Sequence, residues 1–404
     1  MMRILKNIST LYTCASDGGQ GDVNPIHDAV IAWRDEHIVW AGTEKEMPDK
    51  YDESEVFDAG GKIVIPGMVD CHTHLCFGGW REDEFEMRLK GKSYIEIAKA
   101  GGGILSTVKA TREASEQELF EKASQLLDKI VQQGVTTIEC KSGYGLSLED
   151  ELKQLRVYKK LKETRPVELI STFLGAHTFP PEFKKNRKGY IDLVVEEMIP
   201  AVADEDLADF CDIFVEESAF TVAEAREILE IGKKHGLRPK LHADQLTAGG
   251  GAELAARVGA VSADQLEQIS DRGIEMMAEK EVVGVTLPLA SLYTQQPYLN
   301  CRRLVDGGVE VAVATDFNPG SAPSYNLPLA MMLTCNHGRL TPAEVLKGAT
   351  LYAAKAVGMD HKVGSIEAGK KADFVVLNSP SINFWMYHFG ANVIDQVYLS
   401  GEPL

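Results

Sequence analysis

Eight apolar runs of strand length, separated by segments of helical length, constrain this chain more than any other feature. They cover residues 63–70, 135–140, 168–174, 211–216, 238–243, 260–266, 282–288 and 309–316. Amphipathic stretches at 116–133, 148–162, 222–235 and 251–258 separate several of them. Repeated βα units of this kind define an α/β protein with a parallel sheet. Eight such strands match a (β/α)8 TIM barrel. A doubly wound sheet is the alternative, but it would not gather strands one, five and eight around a common centre.

The two ends of the chain differ from this middle. Residues 29–33 and 38–42 flank the turn 34–37 as a hairpin, and 56–61 leads toward the first barrel run. Near the other end, 364–373 is rich in turn residues, and 374–377 and 393–399 are apolar strand-like runs. Segments 1–62 and 364–404 are therefore expected to meet in one small β-sandwich domain, with 63–363 forming the barrel. The stretch 75–134 is too long for a simple βα loop. Its Gly101-Gly102-Gly103 is expected to lie over the mouth of the barrel.

A formal charge of −18 argues against a nucleic-acid or anionic-membrane partner, because either would favour a basic face. The seven cysteines are scattered with no C-x-x-C pair, which fits a reducing compartment. No apolar stretch follows the basic residues of segment 1–9, and no run approaches the roughly 18 residues of a membrane span. A cytoplasmic protein is expected.

The first barrel run ends in Asp70-Cys71-His72-Thr73-His74. Side chains two apart on an extended segment point the same way, so His72 and His74 can converge on one metal ion. His242 closes the fifth run and Asp316 the eighth. In a TIM barrel the reactive groups gather at the C-terminal strand ends, which makes these four a candidate ligand set. Three imidazole nitrogens and a carboxylate suit zinc, and equally iron or manganese. One divalent or trivalent transition-metal ion, Zn or Fe, is expected. A carboxylate at position 316 also suits a helix N-cap or a general base.

These four residues, the stretch Pro66-Gly-Met-Val-Asp-Cys-His-Thr-His74 and the closing Gly364-Ser-Ile-Glu-Ala-Gly-Lys-Lys-Ala-Asp373 resemble the amidohydrolase superfamily. More narrowly, 102–111, 139–146, 173–178 and 315–321 are similar to the imidazolonepropionase family of histidine degradation. The element Lys141-Ser-Gly-Tyr-Gly-Leu146 is specific to that family. The resemblance implies hydrolysis of the cyclic amide of 4-imidazolone-5-propanoate to N-formimino-L-glutamate. It also implies roles. Arg81 would hold the propionate carboxylate through a charge-assisted pair. Tyr144 would offer its hydroxyl, with Tyr94 lining the pocket. His177 would hydrogen-bond or polarise the ring carbonyl, and Gln245 would face the ring amidine. Asn318, Gly320 and Ser321 would hold the substrate through backbone and side-chain donors. Asp316 would be the proton acceptor. Lys141 is expected to support a single-metal site rather than to be carboxylated between two ions. The partners expected are a small substrate with a carboxylate tail and a second copy in a homodimer.

One departure stands out. The family commonly has Ser-Ala-Asp-His at the sixth strand end, and this chain has Ser262-Ala-Asp-Gln265. Glutamine hydrogen-bonds but does not exchange a proton near neutral pH. Gln265 therefore takes the position of an acid/base histidine without its chemistry. A deaminase or cyclic-ureide hydrolase of the same superfamily is one rival reading, and a weakly active or non-catalytic ligand-binding relative is the other.

Overall fold

The computed structural model describes residues 2–51, 55–92, 96 and 101–404. The chain opens with β1 (Met2–Tyr12), β2 (Pro25–Arg34), β3 (His37–Thr43), β4 (Glu55–Asp58) and β5 (Ile63–Pro66). The barrel follows as β6 (Met68–Asp70), β7 (Val135–Lys141), β8 (Glu168–Ala176), β9 (Phe210–Val215), β10 (Arg238–Ala243), β11 (Ser262–Gln265), β12 (Val283–Thr286) and β13 (Val311–Val313). These eight are parallel neighbours in chain order. Their residues are almost all buried, as expected of strands with side chains inside and helices outside. The outer helices start where the sequence supplies caps. Ser115 and Glu118, Thr221 and Glu224, and Thr341 and Glu344 each form a reciprocal capping box.

The chain ends with β14 (Phe374–Leu377), β15 (Ile394–Leu399) and β16 (Glu402–Pro403), which join β1–β5 in a second, mixed sheet. Its order is β16-β15-β14-β5-β1-β2-β3, with β4 also paired to β1. In a flat sheet β2 and β14 would stand about 14 Å apart. Trp33 of β2 instead lies 5.3 Å from Phe374 and 5.8 Å from Tyr398, ring centre to ring centre. The sheet curls over on itself around these rings, and its two ends meet as layers.

One strand needs correcting. The run 63–70, expected as a single barrel strand, is two strands in two sheets. Pro66 has no N–H with which to continue a ladder. At Gly67 the chain turns so closely against Thr136 that a Cβ there would stand 2.2 Å from its hydroxyl. Gly67 N still donates to Asp373 O of the curled sheet, while Met68 N donates to Gly134 O at the foot of the barrel. The other seven expected barrel strands are present: β10 keeps its expected ends, β7 and β8 run one and two residues longer, β9 is shifted by one residue, and β11, β12 and β13 are trimmed by one to three residues at each end. Among the described residues no helix is long and apolar enough to cross a membrane. All seven cysteines are free thiols.

Candidate active site

The barrel closes at the candidate ligands. Asp316 N donates to His72 O at 3.0 Å, and His74 N donates to Phe317 O at 2.8 Å, joining the first and last strands. Asp70 fixes the approach, accepting from Thr315 N at 3.1 Å and Thr315 Oγ1 at 2.6 Å. Asp316 itself adopts φ +55°, a conformation that L-residues other than Asn and Asp rarely hold. Its Oδ1 lies 3.4 Å from His72 Nε2 and 3.6 Å from His74 Nε2. His242 arrives from β10, and ligand-type atoms of His72, His74 and His242 lie within 4.8 Å of one another. The four residues read as ligands thus meet in one buried cluster.

Beneath them is a layer of charge of which only Lys141 was singled out from the sequence. His72 Nδ1 is 2.6 Å from Asp264 Oδ2, and His242 Nδ1 is 3.1 Å from Asp212 Oδ2. Carboxylates only accept here, so the His72 ring keeps its proton on Nδ1 and turns its Nε2 lone pair toward the cluster. Lys141 Nζ ties the carboxylates together, 2.7 Å from Asp212, 2.9 Å from Glu139 and 3.7 Å from Asp264. Lys240 Nζ adds a contact of 3.2 Å to Glu139. All five side chains are fully buried. Burial favours a neutral Lys141, but Asp212 and Glu139 outweigh it and push the ammonium above its usual range. Burial likewise opposes ionisation of Asp212, yet His242 and Lys141 hold that carboxyl well below its usual range. The sequence did carry a signal for these residues. Glu139 and Lys141, and Lys240 and His242, are charged or polar at alternate positions of otherwise apolar runs, the parity that faces inward.

A cavity of about 550 Å³ opens above the cluster. His177, immediately after β8, stacks on His74 with ring centres 5.3 Å apart. Burial among the other imidazoles lowers its pKa to about 3, so it is neutral. Its Nδ1 lies 3.0 Å from Gly143 O, which can only accept, so Nε2 presents a lone pair. Polarising a ring carbonyl would need a proton on Nε2, and this tautomer has none there. Tyr144 packs 5.7 Å from His74 and 5.5 Å from His177, and burial keeps its hydroxyl protonated.

Across the cavity, Arg81 is no solvated surface arginine. Its Nη2 donates to Glu84 at 2.7 Å, and its buried Nε has no partner among the described residues. Glu84 in turn accepts from Gly103 N and Ser106 Oγ, which anchors the glycine run beside the cavity. Gly320 lies against the guanidinium, and a Cβ there would stand 2.1 Å from Arg81 Nη1. Asn318 shapes this loop, its Oδ1 accepting from Gly320 N and Ser321 N at 2.8 and 2.7 Å. Gln245 and Gln265 also line the cavity, and Gln265 takes φ +82° with its Oε1 buried and unpartnered among the described residues. Tyr94 lies outside the described residues.

Eight parallel strands with a histidine–carboxylate cluster at their C-terminal ends define a hydrolase barrel. A sequence model of the amidohydrolase family matches residues 169–404. The imidazolonepropionase of Geobacillus thermodenitrificans is 52% identical over 369 residues, 90% of this chain and 87% of that protein. That of Thermoanaerobacter pseudethanolicus is 46% identical over 98% of this chain and 96% of its own length. The chain therefore belongs to the imidazolonepropionase family of the amidohydrolases. Its fold is shared with zinc-complexed atrazine chlorohydrolase from Arthrobacter aurescens, with a TM-score of 0.75, 14% identity, and coverage of 100% of this chain and 95% of that one.

Proposed function

We propose that this chain opens the ring of 4-imidazolone-5-propanoate with water, giving N-formimino-L-glutamate in histidine degradation. The observation that carries this reading is Arg81, held across one cavity from the histidine–carboxylate cluster with its Nε unpartnered. A cation and a candidate metal site sharing one cavity suit a small ring with an anionic tail.

The donor set fits a transition-metal ion. His72 Nε2 and His242 Nε2 are buried and make no hydrogen bond among the described residues. Burial and Lys141 oppose a charge on His72, yet Asp264 and Asp316 push its pKa up to about 9, which marks a place where positive charge is favoured. Glu139, Asp212 and Asp264 outnumber Lys141 and Lys240 by one charge, and Asp316 adds a second, so a divalent cation would balance the layer. His72, His74, His242 and Asp316 would hold the ion, and zinc and iron both suit that set. When bound, such an ion supplies Lewis acidity and lowers the pKa of water.

The chain's own residues do the rest. Arg81 would pair with the propionate through Nε and Nη1, orienting the ring over the cluster. Asp316 would take a proton from the attacking water and return it to the ring nitrogen as the C–N bond breaks. His177 would accept from a ring N–H, and Tyr144 would donate to the ligand. Gln245 and Gln265 would meet the ring edge with neutral amides. The test is loss of imidazolonepropionate absorbance with the purified, metal-analysed protein. Arg81→Met should raise KM by about tenfold or more and leave metal content unchanged. A parent protein that carries metal but leaves the absorbance intact would exclude the reading.

A further inference from the structure

Gln245 reaches the cavity from a segment held on both flanks by buried carboxylates. On one side is Glu216, which follows β9. Its Oε2 accepts from Leu246 N at 2.9 Å and Thr247 N at 3.3 Å. Its Oε1 accepts from the Thr247 hydroxyl and from Glu217 N. On the other side is Asp244, at φ +49°, whose carboxylate accepts from Gly250 N, Gly251 N and Ala252 N at 2.9–3.0 Å. The backbone of the same segment also fixes the neighbouring wall. Ala243 O accepts from Leu266 N, and Asp244 O accepts from Gln268 N, across the turn that presents Gln265.

A glutamate at a barrel strand end is where a catalytic acid would be sought. Both oxygens of Glu216 are already committed to segment 246–247 and to Glu217 N, and the side chain does not line the cavity. We propose that Glu216 is a positioning residue, clamping Leu246 and Thr247 so that the Gln245 side chain is aimed at the substrate ring. This rests on the substrate reading above and extends it to a residue remote from the ring.

The geometry also says how the clamp can be opened without unfolding the barrel. A separate surface cavity of about 230 Å³ is lined by Glu216, Glu217, Ser218, Leu246 and Thr247. Water entering there can take over the N–H groups of 246 and 247 when the carboxylate is removed, which limits the cost to stability. What water cannot do is hold the segment in one place. An amide at 216 keeps one acceptor oxygen and should restore part of the restraint.

The experiment compares the parent, Glu216→Ala, Glu216→Gln, Gln245→Ala and the Glu216→Ala/Gln245→Ala double variant, all metal-loaded, on 4-imidazolone-5-propanoate. Glu216→Ala should lower kcat/KM by about tenfold to a hundredfold with metal content unchanged, and Glu216→Gln should recover part of it. The double variant should be no worse than Gln245→Ala alone, since both changes act through one side chain. Independent, additive losses, or an unimpaired Glu216→Ala, would overturn the proposal. Hydrogen exchange at amides 246 and 247 decides the clamp without reference to turnover. Faster exchange in Glu216→Ala supports it, and unchanged protection refutes it. A parent inactive on this substrate would sink the substrate reading while leaving the exchange result to judge the clamp.

Discussion

Gln265 occupies the cavity wall with a buried amide oxygen that has no partner among the described residues. On the proposed mechanism, a side chain that cannot exchange a proton leaves Asp316 to carry both transfers, and a positioned acid or base typically contributes about 10²–10⁴ in rate. Gln265→His should therefore raise kcat, leave metal content unchanged and add an ionisation in the histidine range to the pH–rate profile. Equal kcat and superimposable profiles would show that position 265 takes no part in proton transfer. Two residues further on, Glu267 is half-buried, its Oε2 enclosed and without a partner among the described residues, and desolvation followed by the charge of Asp316 raises its pKa from 4.5 to about 8. A carboxyl with a raised native pKa binds its proton more tightly folded than unfolded. Its contribution is whole below 4.5 and lost as pH climbs through about 8. Glu267→Gln should be close to neutral at pH 5 and stabilising at pH 8. Chemical denaturation of chelator-treated protein at the two pH values checks this, and a difference of the opposite sign would rule it out.

At the scale of elements, the barrel was legible because its strands are nearly continuous apolar runs of uniform spacing. The first run misled for a physical reason. Residues 63–66 and 68–70 are equally apolar because each is buried, one in the curled sheet and the other in the barrel. Hydrophobicity alone does not say which partner strand a segment chooses, whereas the Pro66-Gly67 break did mark the change. The four candidate ligands were legible because each ends a run. Asp212, Asp264 and Glu139 were not, since a lone carboxylate inside an apolar strand finds its meaning only when the facing lysine is known. Lys141 is that lysine, bonded to Glu139 on its own strand and to Asp212 on another. Lys141→Met would strand three buried carboxylates beside a single remaining lysine, a change that costs about 3–5 kcal/mol for a buried pair. A large fall in the urea midpoint is the expected outcome. A stability equal to the parent's would mean that the lysine is not what balances the layer.

Across the whole molecule, the candidate ligands come from the segment after β6, from β10 and from the segment after β13, so a bound ion would tie the first, fifth and last barrel strands. Chelation should then lower the thermal midpoint, by the linkage of binding to folding, and His74→Ala should abolish the difference between treated and untreated protein. An unchanged parent midpoint would show that the ion is no tie. The seam between β6 and the last strand also bears on how the chain is made. The bond from Thr315 N to Asp70 joins residues 245 apart in sequence. At about 5–20 residues per second on the ribosome, His72 and His74 emerge roughly 12 to 50 s before Asp316 does. Throughout that interval the nascent half-barrel has two open strand edges, β6 and whichever strand was made last, and open edges recruit other chains. A chain cut just short of Asp316 is thus expected to aggregate rather than to persist as a feeble enzyme, because the residue proposed to carry the proton also shuts the barrel.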